Sequence, residues 1–152
     1  MAITVQSTYA TDYAKGYPGM IANGETSNRI SRTVEDSAGI AFGKAVFRGS
    51  GDHGVTATPA ANTFMGVTIA DRAIVPTTVS GAVDTYPQYS TAGILFEGCI
   101  YVIVGEDVTD GAAAYVTSAG AFVDTSSSNT AIPAVFDETV ASGGVCRLRI
   151  VR

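Results

Sequence analysis

The chain has 152 residues, 46% hydrophobic and only 15% charged, with 17 glycines, 7 tyrosines and no tryptophan. That is one domain's length, enough to bury roughly 68–70% of the surface the unfolded chain exposes, in a composition suited to short strands and tight turns rather than helices. The net charge of −5 is uneven: no Lys or Arg lies between Arg72 and Arg147, whereas Asp84, Glu97, Glu106, Asp107, Asp110, Asp124, Asp137 and Glu138 all do, and so acidic a half argues against nucleic acid as a partner.

The N-terminal MAITVQSTYATDYAK lacks the basic and apolar regions of a signal peptide. Residues 1–38 are mixed and polar and read as an extended N-terminal arm, leaving 39–152 as the folded domain. Within the arm, GYPGMIANGETSNRIS carries a turn held by Pro18. Tyr13, Tyr17, Met20, Ile21 and Ile30 are its apolar anchors, with Arg29 and Arg32 available for charge contacts. The six basic residues up to Arg72 balance six acidic ones, so this half is near neutral and free to meet another protein.

From Gly39 the pattern changes to strands. IAFGKAVFR ends in the loop GSGDHG, and NTFMGVTIADRAIV is β-branched with a bulge expected at Gly66. AGILFEGCIYVIV is apolar on both faces, as in a central strand, with Gly98 as a bend. Its longest apolar run, Ile94 to Val104, is interrupted by Glu97 and is far short of the roughly 20 residues of a bilayer-spanning helix, which implies no membrane partner. A turn at Asp110-Gly111, a strand through Tyr115 and Val116, a tight return at Ala119-Gly120 and a short strand at Phe122 follow. TSSSNT reads as a polar loop, and VCRLRIVR closes the chain with Cys146, Leu148 and Ile150 on one face. The fold class is all-β, a single small β-barrel or β-sandwich domain.

No segment supplies a catalytic set. Gly49, Gly51 and Gly54 have GxGxxG spacing, but a dinucleotide site needs a helix next, and VTATPAANTF follows instead. Ser50, Asp52 and His53 are neighbours in one loop and cannot adopt a proton-relay geometry. His53 is the sole histidine, which removes most metal sites and imidazole bases. Glu106, Asp107 and Asp110 lack calcium-loop spacing and read as a solvated acidic turn. Cys99 and Cys146 stand in separate strands without CxxC spacing and read as buried thiols; a disulfide requires those strands to be neighbours. No enzyme activity, cofactor or metal is expected.

Four pieces, GYPGMIAN, AGIAFGKAVFRG, FMGVTIADRAI and YSTAGILFEGCIYVIVGEDVTDGAAAYVTSAGAFV, resemble in order and spacing the capsid cement, or head decoration, proteins of tailed bacteriophages. The likeness covers most of residues 16–151. It implies a structural protein, made in the host bacterial cytoplasm, that sits on the outer capsid surface of the virion. Many copies, often trimers, would clamp neighbouring major capsid protein subunits, with the arm adding hydrogen bonds to an exposed sheet edge. The alternative is a phage tail or fibre-type adhesin or a carbohydrate-binding β domain, suggested by the tyrosines. Tyr101 and Tyr115 fall in strands and Tyr9, Tyr13 and Tyr17 in the arm, which does not gather them into one sugar groove.

Overall fold

A computed structural model describes residues 15–74 and 82–152. It is all-β, as expected, with eleven strands among the described residues: β1 (Asn28–Val34), β2 (Ile40–Ala41), β3 (Ala45–Arg48), β4 (Gly54–Thr56), β5 (Phe64–Thr68), β6 (Thr85–Tyr86), β7 (Thr91–Ile103), β8 (Ala113–Val116), β9 (Phe122–Val123), β10 (Thr130–Phe136) and β11 (Val145–Ile150).

The long strand β7 organises the rest. Its first half pairs with β1 and β5, and the pairings β1–β4, β4–β3, β3–β5, β5–β7 and β7–β1 close a five-stranded mixed barrel in which only β1–β4 is parallel. From Gly98 onward β7 takes β11 as partner, with Ile150 opposite Gly98 and Val145 opposite Ile103. The sheet continues through β10, β8 and β9, and returns to the end of β7 through a bridge between Val104 and Phe122. Gly98 is thus the point at which one strand passes from the barrel to the second sheet, and the expected bulge at Gly66 is a register shift in the β3–β5 pair.

Two apolar cores follow from strand alternation. Val34, Val46, Val55, Met65, Ala92 and Ile94 pack together in the barrel, joined by Ile40, Phe42 and Tyr86. On the opposite faces of β3, β5 and β7, Ala45, Phe47, Phe64, Val67 and Leu95 pack against Ile100, Val102, Phe122, Phe136 and Leu148 of the second sheet. Each such fully buried aliphatic or phenyl side chain stabilises the fold by about 1.5–3 kcal/mol relative to exposure. Tyr86 keeps its hydroxyl satisfied by donating to the Ile69 carbonyl at 2.7 Å, and burial pushes its phenol pKa up. The terminal Arg152 lies with its guanidinium 3.7 Å from the centre of the Phe96 ring and donates to the Phe64 carbonyl at 2.6 Å, pinning the C-terminus to β5.

Two expectations are corrected here. Residues 28–34, read as arm, form β1 and complete the barrel; their outward face is polar, so NRISRTV looked like surface, while Ile30 and Val34 pack on the barrel core. Residues 130–136, not expected as a strand, form β10 despite Pro133, which lies where the β10–β8 register shifts. The cysteine strands β7 and β11 are neighbours, but Cys99 pairs with Arg149 and Cys146 with Val102. Three rows, roughly 10 Å along the strand, exceed the reach of a disulfide, and both thiols are free and buried.

Candidate functional site

The segment before β1 is bound to the chain's own β7. Gly16 lies against the Tyr101 ring so closely that a Cβ would come within 2.5 Å of its Cδ2. The Pro18-Gly19 turn follows, with the Met20 amide donating to the Tyr17 carbonyl at 3.0 Å. Gly19 (φ +83°) and Gly43 (φ +68°) meet back to back; a Cβ on Gly43 would stand 2.7 Å from Pro18 Cβ, so both positions demand glycine for space and for conformation. The Gly19 amide donates to Tyr101 O at 2.8 Å, Tyr101 N donates to Met20 O at 2.9 Å and Ala22 N donates to Cys99 O at 2.9 Å, with Ile21 bridged to Ile100. Residues 19–34 therefore follow one edge of β7, interrupted by an excursion at 23–27. The sheet edge that residues 19–22 complete belongs to the same chain. Arg149 fastens the excursion, donating to both Glu25 oxygens at 2.7 and 2.9 Å and to Asp137 at 3.2 Å.

This pairing leaves an apolar strip facing outward. Tyr17 is 42% exposed, Met20 37%, Ile103 47% and Val83 72%. Tyr17, Pro18, Phe42, Ile74, Val83 and Ile103 line an open groove of about 670 Å³, edged by Lys44, Asp71, Arg72 and Asp84. Arg72 places its guanidinium 5.7 Å from the centre of the Tyr17 ring, a cation–π distance.

The expected contact residues divide accordingly. Tyr17 and Pro18 line the groove, and Met20 is exposed beside them. Ile21 is half-buried along β7, and Ile30 is half-buried against the barrel core. Arg29 and Arg32, three apart on β1, fall on opposite faces of the strand. They stand opposite Leu95 and Ala92, roughly 20 and 30 Å along β7 from Tyr101, so they belong to a different part of the surface from Tyr17. Tyr13 lies outside the described residues. Arg72, Val83 and Ile103 were missed. Ile103 reads in sequence as one more core residue of an apolar run, and only its position on the outward face of β7 exposes it.

The remaining polar motifs serve the fold. The GSGDHG loop encloses the Glu35 carboxylate, which accepts from Ser50 N at 2.8 Å, Ser50 Oγ at 2.9 Å and Gly51 N at 2.8 Å. These bonds, the Ser50 amide foremost, lower the Glu35 pKa. The loop amides that would cradle a phosphate are thus turned to an internal anion, and His53 is exposed. Glu106 accepts from Thr125 N at 2.8 Å and Asp124 N at 3.0 Å, which lowers its pKa, and Asp107 accepts from Ser142 N at 2.8 Å. Glu106 and Asp107 thus tie loops together, while Asp107 and Asp110 remain exposed to solvent. Among the described residues no group of three or more His, Cys, Asp or Glu side chains is placed to hold a metal ion.

A family model for structural cement protein (E217 gp24/Pam3 gp6) matches residues 5–151. No curated protein matches the chain. Among solved structures, a chain in the capsid of Myoviridae phage XM1 is similar in fold, with 16% identity, 99% of each chain covered and a TM-score of 0.72. The head fiber gp8.5 N base of bacteriophage phi29 has 15% identity over 83% of this chain and 95% of its own, with a TM-score of 0.48.

Proposed function

We infer that this chain, which belongs to the phage structural cement protein family, binds the outer surface of a phage head, contacts the major capsid protein and stabilises the expanded lattice. The observation that carries this reading is the family match over residues 5–151, nearly the whole chain rather than one motif. The physics is that of linkage: a protein that binds the assembled lattice in preference to free subunits stabilises the lattice. Contact with two or three subunits at once adds effective concentration without new chemistry. The role is structural rather than enzymatic, and a homotrimer is the favoured assembly. The strip of Tyr17, Pro18 and Met20 is the contact we favour, with Ile21 as its internal support and Arg29 and Arg32, on β1 beside the half-buried Ile30, as separate charge contacts. A closed barrel sharing a long strand with a second sheet suits this role, because a rigid body loses little freedom on binding.

The test is co-sedimentation of the purified protein with undecorated heads before and after expansion, together with the temperature at which the heads release DNA. Saturable binding to expanded heads and a higher release temperature are expected. Equal binding to both head forms, or none to either, refutes the reading.

A further inference from the structure

Four described non-glycine residues have positive φ: Asn62 at 60°, Asp84 at 54°, Tyr89 at 63° and Ser128 at 59°. Asn and Asp tolerate this region because their short polar side chains bond locally, and Ser is small; a bulky aromatic there is strained. Tyr89 is also the most exposed large hydrophobic among the described residues, at 76%, and it joins neither apolar core. The fold therefore holds an aromatic ring in an unfavourable backbone conformation without burying it.

The turn that does this is firmly built. Tyr89 N donates to Val34 O at 2.8 Å and Val34 N to Ser90 O at 3.0 Å. Ser90 Oγ donates to Pro87 O at 2.6 Å, and Gln88 Nε2 donates to Glu35 O at 3.0 Å. Residues 87–90 are thereby fixed to the end of β1 and the start of β7, both barrel strands. Residues 85–96 themselves contain no Asp, Glu, Lys or Arg, while Arg32 of β1 stands opposite Ala92. The neighbouring Glu35 and Asp36 carboxylates are turned to the chain's own Ser50, Gly51, Thr56 and Ala57.

We propose that Tyr89 is a preformed anchor that inserts into a concavity on the major capsid protein. This deepens and rests on the capsid-binding reading above. Interface centres are depleted in charge and enriched in tyrosine, and a ring held rigidly before binding loses little conformational freedom on docking. Backbone strain kept at an exposed position is the signature of a site shaped for contact rather than for stability. The chosen occupant is a capsid subunit because cementing requires contact with the lattice; a sugar would call for further aromatics and free carboxylates beside the ring, and the carboxylates at hand are engaged.

Tyr89→Asn distinguishes this role from a structural one, since Asn tolerates the left-handed region. The thermal midpoint should rise while affinity for expanded heads falls at least tenfold, and Tyr89→Phe should bind within about threefold of wild type. A fall in midpoint that accompanies the loss of binding would make Tyr89 a folding residue and overturn the proposal. Unchanged binding by Tyr89→Asn overturns the proposal alone, leaving capsid binding intact. If the wild-type protein does not bind heads, both readings fall. If Tyr89→Asn dissolves a self-association seen by analytical ultracentrifugation yet still binds heads, the anchor serves a second copy and the proposal is wrong.

Discussion

The Glu35 carboxylate occupies the space that a side chain on Gly54 would need: a Cβ there would overlap Glu35 Oε1. The glycines of GSGDHG leave room for this internal anion. Gly54→Ala should therefore displace the carboxylate and resemble Glu35→Ala, and the double variant should be no less stable than the worse single one. Thermal melts of the three variants measure this; additive losses would separate the two positions.

The same carboxylate predicts a pH effect. Its folded-state pKa is lowered from the ordinary 4.5, so its contribution is fully present above about 4.5 and is lost as pH falls through the lowered value. Glu106 acts with the same sign. Acid titrations followed by circular dichroism should show Glu35→Gln with a shallower loss of stability below pH 4.5 than wild type, and Glu35→Gln/Glu106→Gln shallower still.

Ile100 is fully buried in β7, between Leu148 of β11 and Ile21 of the preceding segment. Ile100→Asp places an unpaired charge there at a cost of several kcal/mol, against a total stability of about 5–15 kcal/mol, and should abolish folding. Ile100→Val should cost about 0.5–1.5 kcal/mol. Soluble expression and urea melts check both.

The contact strip can be tested without disturbing the barrel. A truncation starting at Thr33 removes most of β1 and opens the ring, so loss of binding there would report misfolding. Tyr17→Ala and Met20→Ala alter side chains that are 42% and 37% exposed and should each change stability by less than about 1 kcal/mol. Together they should weaken binding to expanded heads by at least about 1 kcal/mol, some fivefold. If this loss persists from 50 to 300 mM salt, apolar contact carries it; loss that appears only as salt rises assigns the contact to Arg29 and Arg32.

Burial, aided by the nearby Glu138 charge, pushes the Cys146 thiol up to about 12, and burial also raises Cys99. Neither thiol should react with a water-soluble thiol reagent at pH 8 in the native protein, and both should react in denaturant. Rapid native labelling of either would place it at the surface. His53→Ala, by contrast, should change neither melting temperature nor binding, since His53 is exposed.

Strands rich in alternating or continuous apolar residues were legible: β3, β5, β7, β8, β9 and β11 all fall where the sequence places strands. β1, β4, β6 and β10 were not: β1 presents Arg29 and Ser31 outward, β10 carries Pro133 at a register shift, and β4 and β6 are only three and two residues long. Of the candidate site, Tyr17, Pro18 and Met20 were legible as anchors of an ordered turn. Arg72, Val83, Ile103 and Tyr89 were not, since an exposed apolar residue in a strand or turn has the same local signal as a buried one.

By itself the sequence determined that this chain is an all-β protein, since composition, alternation and turn residues act locally. Only the tertiary structure decided that residues 19–34 lie along β7, that Glu35 enters the glycine loop, and that Tyr89 stands out from the barrel with its ring exposed. Strand partnership rests on backbone N–H and C=O groups that are identical at every residue except proline. The choice among possible partners is therefore made by which apolar faces pack together across the whole chain.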